Sequence, residues 1–394
     1  MPEAARLLDA AVARDPNFLL AWCQLANVHD LMYFQGHDRT PPGASRTGKQ
    51  SSPGGSAHST QFRGSTFGAC LSLLRRFSRF YSRAREELAI ARRTLPNNAE
   101  LFFRTGVFDY RQGLWDEATG NLERAIELDP RNLQYVTQMA LCYQPQRRYL
   151  DETRMWERAL GIVPGDANTR VCKAEVLANW KADMKPYQTT LAALVAENPK
   201  VASDVDDPLF ALRERTVDAA ERVLRNYPAD GIQYYSVAYP RACWEGVVRR
   251  WQGDNAKARA AFTSARNEVD KVLQEQPEFP AALSLLGMID AGLGRKEEAI
   301  REGKRACELL PMPKDAVDGV AFVVNLAQIF AWTSEKDLAI EQLNAALKVP
   351  NDLHYGEMRL HPLWDLLRDD PRFETLMEEA KKPFGLKENK SAFP

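Results

Sequence analysis

At 394 residues and 45% hydrophobic content the chain has ample material for a core and is not composed like a disordered protein. Its 52 basic and 53 acidic residues nearly cancel, so no global charge draws it to nucleic acid or anionic lipid. Any such contact would have to be local.

Prolines set a ruler along the sequence. Pro96, Pro130 and Pro164 are 34 residues apart, Pro199 follows at 35, and Pro277 to Pro311 is again 34. Each closes a similar phrase (ARRTLPNN, AIELDPRN, ALGIVPGD, ACELLPMP), and a fixed period of this length is the mark of a repeat architecture. Residues 1–40 hold a helix ending at Pro16 and a further helix, DPNFLLAWCQLANVHDLMYF. Residues 41–80 break the pattern: GASRTGKQSSPGGSAHSTQFRGS (43–65) is almost devoid of apolar side chains. From 81 to 199 the period returns. Within it Phe102 and Gly106 fall on one helix, Gly113 in a turn, and Ala118, Leu122 and Ala125 on a second. Two helices per repeat follow. Small residues at Gly106 and Ala118 allow a close helix pair, and Asp129-Pro130 ends the second helix because proline lacks the amide. Pro186 interrupts the repeat ending at Pro199. Residues 200–236 form a shorter, degenerate pair with Ala220 and Leu224 on its better half. Residues 237–350 resume the array, with one helix prolonged through NEVDKVLQEQ by about two to three turns. In 351–394, Leu363, Trp364, Leu366 and Leu367, then a short helix from Pro371 with Phe373, Leu376 and Met377, form a cap and a tail.

The pattern resembles the tetratricopeptide repeat. Leu283, Leu286, Gly287, Ala299, Ala306 and Pro311 stand in its register, as do Leu326, Ala327, Ala339, Leu343 and Ala346 in a later copy; Thr105 departs from it where leucine is usual. The resemblance implies an all-α fold, a superhelix of antiparallel helix pairs with a C-terminal capping helix. Beyond the repeat itself, RAREELAIARRTLPN, GRKEEAIREGKRACELLP and HPLWDLLRDDPRFE look like the C-terminal repeat region of bacterial signalling proteins. Those proteins carry a Ser/Thr kinase, a nucleotide cyclase or a winged-helix domain at the N-terminus. Ala4, Leu8, Ala11 and Pro16 match a second helix whose first helix is missing, so the sequence is expected to be a piece of a longer protein or a reading that begins at an internal Met; the alternative is that this helix is a natural N-terminal cap.

No catalytic chemistry is legible. A kinase would need a Gly-rich loop, a strand lysine, a catalytic aspartate and a DFG-type metal ligand, and none is present. The five histidines (His29, His37, His58, His354, His361) show no HExxH or paired spacing, and the last two are expected in surface turns. The six cysteines lie far apart without a CxxC pair, which fits scattered reduced thiols in a cytoplasmic protein, and Cys243 in RACW is expected to be structural. No signal-peptide pattern opens the sequence, and VAFVVNLAQIFAW (320–332) is too short for a membrane span. The expectations are therefore no catalytic residue, no cofactor, no metal and no nucleic-acid partner. What remains is recognition. The resemblance implies that first helices line a concave groove, here through Glu100, Phe103, Val107, Tyr110, Arg111, Gln134, Thr137 and Gln144. An aromatic beside an arginine and amides suits a peptide or C-terminal tail whose backbone and carboxylate need donors. Later copies offer the more apolar Ala281, Ser284, Met288, Val324, Gln328 and Trp332, which could bind a helix or pack within the superhelix.

The 41–80 segment occupies the place of two helices of the array. One reading is a basic arm: Arg75, Arg76, Arg79 and Arg83 alternate with Leu71, Leu74, Phe77 and Tyr81, a composition that can meet an anionic membrane or nucleic acid. The favoured reading is a frameshift compensated near Tyr81, because a coding string for residues 64–80 can be written whose neighbouring frame gives a first helix of the same repeat. It predicts an irregular 41–62 and a helix from about Phe67.

Overall fold

A computed structural model describes residues 6, 7, 14, 92, 93 and 95–384, apart from 229, 230 and 236. The expectations for the N-terminal half-repeat and for 41–80 lie outside these residues. The chain divides into two compact units, Met1–Thr105 and Gly106–Pro394.

Helix α1 (Ala99–Arg111) starts in the first unit. The Asn98 side chain caps it, accepting a hydrogen bond from the Leu101 amide at 2.9 Å. Leu101, Phe102 and Phe103 are buried, and the Arg92 guanidinium lies 4.6 Å from the Phe102 ring centroid.

The second unit is a series of helix pairs: the end of α1 with α2 (Trp115–Leu128), α3 (Leu133–Tyr143) with α4 (Tyr149–Ile162), and α5 (Ala167–Lys181) with α6 (Lys185–Glu197). Ala118, Leu122 and Ala125 on one stripe of α2 are completely buried. Gly106 is needed where α1 crosses α2, since a Cβ there would sit 2.8 Å from Leu122 Cγ and 3.1 Å from the Ala118 carbonyl oxygen. The proline ruler marks helix ends as a missing amide should: α2 stops one residue short of Asp129-Pro130, and α4 one residue short of Val163-Pro164. Pro186, which broke the sequence pattern, lies in the first turn of α6, where no amide partner is lost.

Residues 199–226 are short turns and helices: α7 (Ala202–Val205), α8 (Pro208–Ala211) and α9 (Val217–Asn226), with Ala220 and Leu224 buried. An antiparallel hairpin follows, β1 (Ile232–Tyr234) with β2 (Val237–Tyr239), in the register Ile232 to Tyr239 and Tyr234 to Val237. Helix pairs then resume with α10 (Arg241–Trp251) and α11 (Asn255–Glu275), α12 (Pro280–Leu293) and α13 (Lys296–Leu309), α14 (Asp318–Trp332) and α15 (Lys336–Ala346). Helix α11 has 21 residues against 14 in α13. The chain closes with α16 (Tyr355–Leu360), a 3-10 turn over Pro362–Leu367, and α17 (Pro371–Glu379). Trp364 and Phe373 are completely buried there, ring centroids 6.2 Å apart, in one cluster with Leu343 of α15 and Phe330 of α14. The last helix pair is thereby covered, as a stack that ends in water requires.

Two expectations are corrected. His354 and His361 are buried, at 1% and 0% exposure, and are not in surface turns. Both are pressed against arginine-bearing segments, and burial with the nearby Arg213 cation holds both imidazoles well below their ordinary pKa.

Candidate functional site

Val107, Tyr110 and Arg111 lie on the last turns of α1, in the second unit, and all three are partly exposed. Tyr110 packs edge-on against Trp115, centroids 5.3 Å apart. Burial, and then the neighbouring Asp352 carboxylate, raise its phenol well above the ordinary value. Gln134 is exposed and Thr137 half-buried on α3, where the Thr137 hydroxyl donates to the Gln134 carbonyl at 3.1 Å. Gln144 caps the C-terminus of α3. Glu100 and Phe103 belong to the first unit. There Arg104 Nε donates to Glu100 Oε1 at 2.6 Å and its guanidinium lies 5.3 Å from the Phe103 ring centroid.

Arg111 is the most heavily engaged of these residues. Its Nη2 and Nε donate to Asp315 Oδ2 at 2.6 and 2.9 Å, and Nη2 lies 3.0 Å from Asp318 Oδ2. The Arg111 carbonyl accepts the Ala316 amide at 2.8 Å. Asp315 is held for this contact by its other oxygen, which accepts the Val317 and Asp318 amides at 2.9 Å each and caps α14. The arginine expected to take a ligand carboxylate thus holds two carboxylates of its own chain.

The turn after α3 is used in the same way. The Pro145 carbonyl accepts the Asn351 amide at 3.1 Å, and the Gln146 carbonyl accepts the Phe384 amide at 3.3 Å. Arg147 takes a left-handed backbone conformation with φ of 56°. Its buried guanidinium donates to the carbonyls of Leu353, Glu379 and Lys382 at 3.4, 3.3 and 3.2 Å, and it lies 4.6 Å from the Phe384 ring centroid. Among the described residues it forms no ion pair, and burial, outweighing the Glu379 carboxylate, lowers its pKa. Tyr149 Oη is 3.1 Å from His354 Nδ1. Further along, a Cβ on Gly356 would lie 1.7 Å from the Ala178 carbonyl oxygen, so α16 rests backbone to backbone on the end of α5. Three segments, 315–318, 351–356 and 379–384, therefore seat on α1, α3 and α5 within the second unit. In these contacts Arg111 holds carboxylates and Arg147 holds backbone carbonyls of the same chain.

The later inner residues go elsewhere. Ser284 is buried and accepts from Asn325 Nδ2 at 3.0 Å. Trp332 Nε1 donates to the Leu363 carbonyl at 3.2 Å, with Arg250 4.5 Å from its ring centroid. Met288, Val324 and Gln328 line a separate cavity together with aromatic side chains of the hairpin. Cys243 is buried and its thiol pushed up to about 12 by desolvation, the state of an inert core thiol. Among the described residues no group of His, Cys, Asp and Glu is placed to hold a metal ion, and no helix is long and apolar enough to cross a membrane.

Residues 71–132 and 245–311 match the family described as tetratricopeptide repeat, the first match beginning inside the irregular 41–80 segment. Those two stretches carry tetratricopeptide repeats, and the described helices stack in pairs as an all-α array. No curated protein matches it significantly. Among solved structures it is similar to a tetratricopeptide repeat protein from Parabacteroides merdae, at 13% identity over 80% of this chain and 99% of that one, TM-score 0.32. It is also similar to MamA (17% identity, 54% and 92% covered, TM-score 0.24) and to PilW, a type IV pilus biogenesis factor (17%, 64% and 92%, TM-score 0.26). At such scores these likenesses say nothing of function.

Proposed function

We propose that the protein is a non-catalytic scaffold that binds a partner protein or peptide on the inner face of its repeats. The observation that carries this reading is Arg111, whose guanidinium already grips two carboxylates presented from a loop and a helix start. A partner's acidic or C-terminal segment supplies the same chemistry, and would have to displace the chain's own. To the same face we assign Tyr110, which precedes it on α1, and Gln134, Thr137 and Gln144 of α3 and its end, an aromatic ring, amides and a hydroxyl. We further infer that the array is the sensor or interaction region of a bacterial cytoplasmic signalling protein, with a kinase or cyclase effector encoded upstream of Met1. That setting rests on the sequence resemblance alone.

The test is a pull-down with the intact chain and with Tyr110→Ala and Arg111→Ala, each checked for folding by circular dichroism. Partners lost with both variants support the groove; partners retained by both sink it. For the setting, an open frame before Met1 leading into catalytic motifs is the expected result, and a stop codon in frame immediately upstream is the contrary one.

A further inference from the structure

A cavity of about 60 Å³ in the second unit lies where the hairpin, α10, α12 and α14 meet the 351–363 segment. One wall is aromatic. Tyr234 meets Tyr239 at 5.0 Å and Trp244 at 6.0 Å between centroids, and Tyr239 stacks on Trp244 at 6.0 Å. Tyr235, at the hairpin tip, also lines it. The lining is also acidic and amide-bearing, with Asp352, Glu357, Asn351 and Gln328.

Three features point to what this cavity takes. Among the described residues that line it none is basic, and two are carboxylates. Asp352 is exposed, and among the described residues it has no ion pair and Glu357 has only a long one, 3.7 Å from Arg213. Gln328 is 95% buried, its side-chain Oε1 is an acceptor without a hydrogen-bond partner, and the residue lines the cavity. An acceptor left unmatched at that depth costs stability unless something donates to it. Aromatic faces, a free carboxylate and an unmet acceptor together fit a cation that also carries several N–H donors. Size narrows the choice. At about 10–15 Å³ per water-sized site the cavity holds about four to six heavy atoms, which is the end of one side chain and far below a drug-sized ligand. A guanidinium meets all three requirements at once, because it is planar enough to stack and its donors fork toward both carboxylate and amide.

We propose that this cavity is a socket for one arginine side chain of a partner protein. It goes beyond the Arg111 groove, since it uses none of that groove's residues and selects the opposite charge. A partner carrying a basic residue and an acidic segment could engage both places.

The test uses the full chain and three short peptides, Gly-X-Gly with blocked ends, in which X is arginine, lysine or the uncharged isostere citrulline. Binding is read by saturation-transfer NMR on the X side chain. The arginine peptide should bind about tenfold more tightly than citrulline, with lysine between. Asp352→Asn, a change at an exposed residue that leaves the packing alone, should weaken arginine binding by about tenfold. Val324→Phe, which fills the cavity, should abolish it while the thermal unfolding profile stays cooperative. Equal binding of arginine and citrulline, or arginine binding that survives both substitutions, would overturn the proposal. Arginine-selective peptide binding alongside partners that Tyr110→Ala and Arg111→Ala both retain would leave the socket standing and sink the groove, so the two fail separately.

Discussion

Arg111 is the residue on which the inner face of the second unit turns, and Arg111→Ala should be costly in a way that can be worked out. The arginine side chain is 29% exposed, but Asp315 and Asp318 are only 3% and 9% exposed. Removing the guanidinium takes a close cation away from two nearly buried carboxylates. A hydrogen bond to a charged group contributes about 1.5–3 kcal/mol. The partial exposure of the arginine allows water to recover some of that, so the net loss should be about 2–3 kcal/mol. Asp315→Asn separates the ion pair from the helix cap, because an amide oxygen can still accept from Val317 and Asp318. A double-mutant cycle between Arg111→Ala and Asp315→Asn, measured by urea unfolding, should then give a coupling of about 1–2 kcal/mol. Hydrogen exchange should quicken at 315–321 in each variant. A coupling indistinguishable from zero would show that the contact is an ordinary surface pair and refute the reasoning.

Two further outcomes are expected. Gly356→Ala forces a methyl to within 1.7 Å of the Ala178 carbonyl, a backbone group that cannot rotate away, so α16 should lift from α5 at a cost of about 1–3 kcal/mol; limited proteolysis between 347 and 362 should be faster, and an unchanged digest would contradict the contact. Glu152 is 2% exposed and desolvation pushes its carboxyl up to about 8, so the folded state holds a proton that the unfolded chain releases near its ordinary value. Its contribution is fully present below about pH 4.5 and is lost as pH rises toward 8. Glu152→Gln should therefore gain melting temperature over the parent across that window and match it below; parallel curves would argue against a buried protonated carboxyl.

The repeat was legible because it is local. Pro130, Pro164 and Pro311 each follow a helix end by two residues, and the small residues at Gly106 and Ala118 lie where two helices touch. Each of those signals is set by neighbours along the chain. The contacts that occupy the inner face are not: Arg111 and Asp315 are 204 residues apart, and nothing in a 34-residue period says which distant turn will seat on α1. His354 was misplaced for the same reason, since its burial depends on Tyr149 and Arg147, far upstream. The hairpin had a signal that helical periodicity overrode. IQYYSVAY is rich in aromatic and β-branched residues, but its two-residue turn begins with Tyr235 at φ of 49°, where asparagine or glycine is the usual mark. Of the socket, Met288, Val324 and Gln328 stood out in the sequence as inner positions, whereas Asp352, Tyr234 and Tyr235 enter from segments outside the repeat.

The central claim is that the Arg111 position receives carboxylates and that the chain's own now occupy it. Fluorescence anisotropy of labelled peptides ending in a free carboxylate tests it most directly, titrated with the parent chain, Arg111→Ala and the Asp315→Asn/Asp318→Asn double variant. With both internal carboxylates neutralised, the double variant should bind about tenfold more tightly than the parent, and Arg111→Ala should not bind. Equal affinity across all three proteins would contradict the account.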